Sequence, residues 1–117
     1  MTPENSSQKM LQGSLTGVIL KLLSEGGRMY GYEITKAVRE KTGGRLALTE
    51  AALYPALHQL LADGLLQTET EIVSGRQRKY YRIAAQKKAA TNAVLANLRD
   101  SLTLLQNLLS DYGTQKA

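Results

Sequence analysis

A cluster of basic side chains lies in the second half of the chain. Four cations occur within seven positions, with no acidic residue among them: Arg76, Arg78, Lys79 and Arg82. Lys and Arg bind the phosphate backbone of nucleic acids through charge and counterion release. The preceding Ser74 and the backbone N–H of Gly75 add neutral donors that phosphate oxygens also accept. The pattern indicates a phosphate-binding surface; the alternative is a basic tip that is merely solvated.

A second candidate surface precedes this cluster. Glu50, Tyr54 and His58 are spaced four residues apart and therefore share one side of a predicted helix. Thr49 lies just before them, where it either contacts DNA, caps the helix or does both. Residues 49–63 contain no Lys or Arg, so the common contact between Arg and guanine is absent here. We expect Thr49, Glu50, Tyr54 and His58 to face DNA, with His58 a solvent-exposed polar residue.

The net charge fits such a partner. The 117 residues contain 15 Lys and Arg against 10 Asp and Glu, which gives a net charge of +5 and a pI near 9.6. This surplus favours a polyanion, nucleic acid first and an acidic membrane second. No apolar run approaches the roughly 18 residues that span a bilayer, and the N-terminus lacks the order of a signal peptide. We therefore expect a soluble cytoplasmic protein whose partner is nucleic acid and not a membrane.

The composition excludes most catalytic and metal chemistry. The chain has no Cys and a single His, which removes disulfides, thiolate metal sites, Cys nucleophiles and multi-histidine metal centres. No Gly-rich phosphate fingerprint follows a buried strand, and the lone His has no triad spacing. We expect no catalytic residue, no metal ligand and no cofactor.

The elements that position these residues fit into one domain. Residues 1–8 are polar and show no periodicity, which predicts a mobile tail. Apolar spacing predicts three helices, over 10–23, 32–41 and 50–63. A brief strand over 45–48 is predicted before the third helix. Alternating residues over 65–72 and 78–83 predict an antiparallel hairpin whose turn is Ser74-Gly75. The hairpin therefore carries the basic cluster at its tip.

The chain after Ala85 is predicted to form one long helix. Its leucines repeat at steps of three and four: Leu95, Leu98, Leu102, Leu105 and Leu109. This seam is typical of a coiled coil, and with Leu11 and Leu15 of the first helix it predicts a homodimer interface. The predicted division is a DNA-binding domain over 9–83, a dimerisation helix over 84–112 and a tail over 113–117.

Four tyrosines allow two interpretations. Tyr30, Tyr32, Tyr80 and Tyr81 could form a base-stacking platform, as in proteins that bind single strands. They could instead pack into the core, because Tyr81 shares a strand face with Ile83 and Tyr32 opens an apolar helix stripe. We expect Tyr32 and Tyr81 to fill the core with their hydroxyls at its edge.

Four short motifs occur in order along the chain: MYGYEI at 29–34, LYPAL at 53–57, DGLL at 63–66 and RKYYRI at 78–83. Together they resemble the PadR family of bacterial transcriptional regulators. The resemblance implies a mostly α-helical fold with a small β-hairpin, a winged helix-turn-helix followed by a long C-terminal dimerisation helix. It further implies a homodimer that reads a near-palindromic operator, usually as a repressor.

The resemblance leaves the effector open. Some small members bind planar cationic drugs at the dimer interface through Trp, and this chain has no Trp. A small-molecule effector at the dimer interface is therefore one expectation, and regulation without a ligand is another. The alternative function is a dimeric protein-interaction or ligand-sensing module whose basic hairpin is incidental. Salt-dependent binding to duplex DNA separates that alternative from a DNA-binding regulator.

Overall fold

The computed structural model describes the backbone of residues 3–116 and the side chains of residues 13–110. Four helices and three strands form this part of the chain: α1 (Pro3–Gly26), β1 (Met29–Tyr30), α2 (Gly31–Lys41), α3 (Glu50–Ala62), β2 (Leu66–Val73), β3 (Arg76–Ile83) and α4 (Lys88–Lys116). The prediction of a mostly α-helical fold with a small β-hairpin is confirmed. None of these four helices is long and apolar enough to cross a membrane.

Helices α1, α2 and α3 enclose the main apolar core. Its largest fully buried apolar side chains are all aliphatic: Ile19, Leu20, Leu23, Ile34, Leu53, Leu57 and Leu60. Strand β3 adds the ring of Tyr81, which is 3% exposed. Full burial of one such side chain contributes about 1.5–3 kcal/mol to the free energy of unfolding. The stability of the core is therefore the sum of many contributions of this size. It holds α3 by its apolar side and leaves the opposite side in solvent.

Local signals fix the ends of α2 and α3. The N–H of Tyr30 donates to the Glu33 carboxylate (3.0 Å) at the start of α2, which is one half of a capping box. The Thr49 hydroxyl accepts the N–H of Ala52 (3.2 Å), so Thr49 caps α3 as predicted. Gly64 follows α3 with φ +77°, a conformation that glycine adopts without strain. The predicted start of α3 and its glycine stop are both confirmed.

The sheet is antiparallel, with β3 between β1 and β2. Strands β2 and β3 pair over their whole length, from Leu66 opposite Ile83 to Val73 opposite Arg76. Ser74 and Gly75 both have positive φ (+53° and +78°), which is characteristic of the type I′ turn that suits the twist of a two-residue hairpin. The predicted hairpin is confirmed, and its second strand begins two residues earlier than expected.

The predicted strand over 45–48 is wrong. This segment forms no strand, and the N–H of Leu46 donates instead to the Thr42 hydroxyl (3.1 Å). The third strand of the sheet is β1, where Met29 and Tyr30 pair with Tyr81 and Tyr80. A short segment of this chain becomes a strand only if it lies beside the open edge of β3. The alternation of apolar residues over 45–48 does not show whether that segment reaches the edge.

The predicted tails are shorter than expected. Helix α1 begins at Pro3, so residues 3–8 are helical. Proline is well accommodated at a first helical position, because its missing N–H would have no partner within the helix there. Helix α4 continues to Lys116 through most of the predicted tail 113–117. Gly113 weakens a helix by about 1 kcal/mol, which does not stop a helix of 29 residues.

Among the side chains of residues 13–110, helix α4 packs on α1 through its first half. Leu95 is buried against the core, and Leu98 lies next to the backbone of Gly17 in α1. Beyond these residues α4 leaves the core, and a stripe of leucines stays in solvent: Leu102, Leu104, Leu105, Leu108 and Leu109. The described chain is correspondingly elongated, with extents of 61 × 31 × 29 Å.

A pair of glycine substitutions tests the contact between α1 and α4. A Cβ at Gly17 would collide with the Leu98 side chain, whereas a Cβ at Gly13 would meet nothing within 4 Å. We expect Gly13→Ala to stabilise the fold by up to about 1 kcal/mol through helix propensity. Gly17→Ala gains the same propensity but forces Leu98 to move, and we expect a net loss of about 1–3 kcal/mol. Urea unfolding at one protein concentration measures both; equal stabilities would contradict the close packing.

Candidate nucleic-acid interface

The hairpin turn presents its predicted phosphate-binding groups to solvent. Ser74, Gly75 and Arg76 are exposed at the turn, and Lys79 is exposed further along β3. Strand alternation places Lys79 on the face of Tyr81, whose ring centroid lies 5.8 Å from the ammonium nitrogen. The structure therefore brings together a compact group of donors and cations at the end of the hairpin.

Arg78 has a different environment from its neighbours. Its guanidinium lies 4.2 Å above the ring centroid of Tyr30, and a side-chain hydrogen bond with Tyr80 raises the pKa of Arg78 above its usual value. On the same side of the sheet, the Arg28 guanidinium lies 4.1 Å above the ring of Tyr80. Such contacts between a cation and an aromatic face restrain the cation. Arg78 is therefore held against the sheet instead of extending from the tip.

These four residues form what we call the arginine–tyrosine stack: Arg28, Tyr30, Arg78 and Tyr80. The two tyrosine rings meet edge to face, with centroids 5.6 Å apart. Arg28 also donates from Nη2 to the Glu71 carboxylate (2.8 Å), a hydrogen bond that raises the pKa of Arg28. The sequence reasoning missed Arg28, because only the pairing of β1 with β3 places it beside the hairpin. The repeated tyrosines near the basic residues were the only signal for the stack.

Tyr32 and Tyr81, the two tyrosines predicted to lie in the core, have different environments. Tyr81 is buried as predicted, and burial raises the pKa of its phenol above 10.0. The prediction for Tyr32 is wrong, because its side chain is 60% exposed. Its ring instead stacks beside Tyr30, with a centroid separation of 6.3 Å. Tyr32 lies in the first turn of α2, where the neighbouring stack offers an aromatic surface outside the core.

The outer side of α3 carries the predicted base-contacting residues. Thr49, Glu50, Tyr54 and His58 are all exposed, and the last three lie one above another at intervals of four residues. The buried leucines of α3 occupy the opposite side. Helix α3 thus presents a carboxylate, a phenol and an imidazole on one surface, with no cation. Such side chains read base edges without supplying much charge attraction.

Tyr54 also fixes the start of α2. Its side chain is 38% exposed, and its hydroxyl would lie only 2.9 Å from a Cβ at Gly31. Gly31 is buried at the first residue of α2, so the ring of Tyr54 rests on this backbone. The prediction that Tyr54 faces outward is therefore only partly correct. The contact sets the position of the tyrosine on the outer side of α3.

The predicted dimer residues fall into three groups. Leu95 is buried, and Leu15 and Leu98 are partly buried within this chain. The exposed members lie further along α4: Leu102, Leu105 and Leu109. The side chain of Leu11 lies outside the described residues. A groove of about 390 Å³ lies between α1 and α4, with apolar residues that include Val18, Leu22 and Leu102 along it. Charged residues also line it: Lys21, Glu25, Lys41 and Arg99.

The order of the elements defines the class of protein. Three helices followed by a β-hairpin whose first strand packs on the third helix form a winged helix-turn-helix, a fold that places its third helix in the major groove of DNA. A family model described as the transcriptional regulator PadR-like family matches residues 19–92. Because this match spans more than half of the chain, the protein belongs to the PadR-like family of transcriptional regulators.

Known proteins resemble both the sequence and the fold. Uncharacterized protein X of Lysinibacillus sphaericus is 36% identical over 81 residues, which are 68% of this chain and 73% of that protein. A transcriptional regulator from Clostridium thermocellum superimposes with a TM-score of 0.73 at 27% identity, covering 85% of this chain and 96% of the other. Bacillus subtilis PadR in complex with operator DNA gives a TM-score of 0.60 at 28% identity, covering 70% and 45% respectively.

Substitutions at Tyr30 test the arginine–tyrosine stack. Tyr30→Phe retains the ring, so we expect stability within about 0.5 kcal/mol of the parent. Tyr30→Leu removes the aromatic face below Arg78 and the edge contact with Tyr80, and we expect a loss of about 1 kcal/mol. Urea unfolding followed by circular dichroism compares the two variants. An equal loss in both would show that the ring itself does not support the hairpin.

Proposed function

We propose that this protein is a sequence-specific, double-stranded DNA-binding repressor that acts as a homodimer on a near-palindromic promoter site. The observation that carries the proposal is the exposed outer side of α3 beside a hairpin with an exposed basic turn. The structural likeness to Bacillus subtilis PadR in complex with operator DNA supports the same arrangement. Repression follows from occupancy of a promoter, which excludes the transcription machinery from the same DNA.

The two surfaces have separate tasks in this proposal. Arg76, Lys79 and the donors of the hairpin turn contact phosphates, which contributes affinity for any duplex. Thr49, Glu50, Tyr54 and His58 of α3 approach base edges in the major groove. The carboxylate of Glu50 is suited to accept from the amino group of cytosine. Because α3 has no cation, the hairpin supplies charge attraction that α3 lacks.

The homodimer follows from the exposed leucines of α4. A long helix whose apolar stripe is largely exposed among residues 13–110 fits a second copy of the same helix. A two-fold pair of winged domains would read two half-sites about 34 Å apart, one turn of DNA. We assign the apolar groove between α1 and α4 to this partner helix. An effector at the dimer interface would have to share that groove.

A charge test of the hairpin distinguishes DNA binding from a protein-interaction module. We expect Arg76→Ala with Lys79→Ala to weaken binding to every duplex and to flatten the plot of log affinity against log salt by about 0.9 per lost phosphate contact. The charge-conserving pair Arg76→Lys with Lys79→Arg serves as the control and should keep the slope. Fluorescence anisotropy with labelled duplexes at several salt concentrations measures it. An unchanged slope in the alanine pair would move the phosphate contacts away from the hairpin.

A second test addresses the homodimer. Leu102→Asp with Leu105→Asp introduces two carboxylates into the apolar stripe, and burying them in an interface is strongly unfavourable. We expect monomers by sedimentation velocity at concentrations where the parent is dimeric. Thr103→Asp with Asn107→Asp adds the same charge on the opposite side of α4 and should leave the dimer intact. A dimer in both variants would place the interface elsewhere.

A further inference from the structure

A cavity with several charged and polar side chains in its wall lies away from the outer side of α3 and from the hairpin turn. It measures about 730 Å³ and is bounded by the end of α1, the base of the hairpin and the first turn of α4. Its wall combines hydroxyl, amide and charged side chains, among them Ser24, Glu69, Arg82, Lys88, Thr91 and Asn92. The volume is within the range of small-molecule sites.

Thr91 supplies the first indication of a ligand. The residue is only 2% exposed, and its hydroxyl oxygen has no hydrogen-bond partner in the described chain. Buried polar groups are nearly always hydrogen-bonded, and an unpaired one calls for an explanation. In the same wall, Oε1 of Glu69 accepts no hydrogen bond from the described residues, although it forms an ion pair with Nη1 of Arg82 (3.5 Å). The cavity therefore offers both a hydroxyl donor and a carboxylate acceptor to an occupant.

The charge at the start of α4 favours an anion. Helix α4 begins at Lys88, follows Lys87 and has no acidic residue in its first turn. Its positive dipole end and unpaired N–H groups attract anions, whereas lysines at this position are unfavourable by themselves. Lys88 makes no ion pair with any side chain among residues 13–110. Four cations line the cavity, and three of them are paired with carboxylates: Lys21 with Glu25, Arg28 with Glu71 and Arg82 with Glu69. Among the described side chains of this wall, Lys88 is therefore the cation left for an anionic ligand.

We infer that this cavity binds a small phosphomonoester that carries hydroxyl groups. Its phosphate would lie at the start of α4, beside Lys88, Arg82 and the hydroxyl of Thr91, and a ligand hydroxyl would donate to Glu69. The inference does not depend on DNA binding. Since Arg82 and Thr91 belong to β3 and α4, an occupied cavity would join the hairpin to the C-terminal helix.

Glycerol 3-phosphate is a suitable probe, titrated into the ¹⁵N-labelled full chain in phosphate-free buffer. We expect saturable shifts in the amide signals of residues 82 and 88–91. Lys88→Gln should weaken binding of the probe about tenfold or more, because a hydrogen bond from a charged group is lost. Lys36→Gln removes the same charge from the exposed side of α2 and should leave the dissociation constant unchanged.

Thr91→Val provides a variant that keeps the side-chain shape. Removing an unpaired buried hydroxyl should leave thermal stability equal or higher, yet we expect binding of the probe to fall about tenfold. Glycerol alone should cause no shifts, and inorganic phosphate should bind more weakly than the ester. Unchanged binding in both Thr91→Val and Lys88→Gln would overturn the inference. The inference would also be overturned if sodium chloride at equal ionic strength produced the same shifts in the amide signals. It would be overturned as well if Lys88→Gln changed only the salt dependence of duplex binding and not the binding of the probe.

Discussion

The position of β3 between two other strands is the constraint on which the hairpin depends. Its backbone pairs with β2 along the full length and with β1 near the base. Alternate side chains then anchor the strand on both faces, with Tyr81 in the core and Tyr80 in the arginine–tyrosine stack. The part of the hairpin nearer the turn extends beyond the strand pairs with β1. The hairpin is thereby held in a fixed relation to α3, since β2 packs on that helix.

In the proposed function, this arrangement separates attraction to the DNA backbone from recognition of the DNA sequence. The exposed cations of the hairpin lie on a sheet that is restrained at its base, whereas α3 carries polar and aromatic groups without a cation. A protein with this division gains most of its affinity from contacts that are the same on every sequence. In the proposed function, discrimination between sequences depends on short-range contacts of α3. Its side chains are positioned by the buried leucines behind them and by Tyr54 against Gly31.

Much of this could be predicted because it is encoded locally. Thr49 and Gly64 define the limits of α3 through their own backbone chemistry, and a period of four places Tyr54 and His58 on one side. The two-residue strand β1 could not be predicted in the same way, because it is a strand only through its pairing with β3. The arginine–tyrosine stack depends on that pairing too, since it joins Arg28 to residues fifty positions further along the chain. Tyr32 was misassigned for a related reason: an aromatic at the edge of an apolar stripe packs on a neighbouring ring as readily as in a core.

The exposed leucine stripe of α4 affects how the amount of active protein depends on the total concentration of the protein. If two copies must associate through it before either can occupy an operator, the active species varies with the square of the monomer concentration while most of the protein is monomeric. Halving the amount of protein in a cell would then reduce the active pool about fourfold. The exposed leucines of α4 would in this way convert a modest change in expression into a sharper change in gene activity.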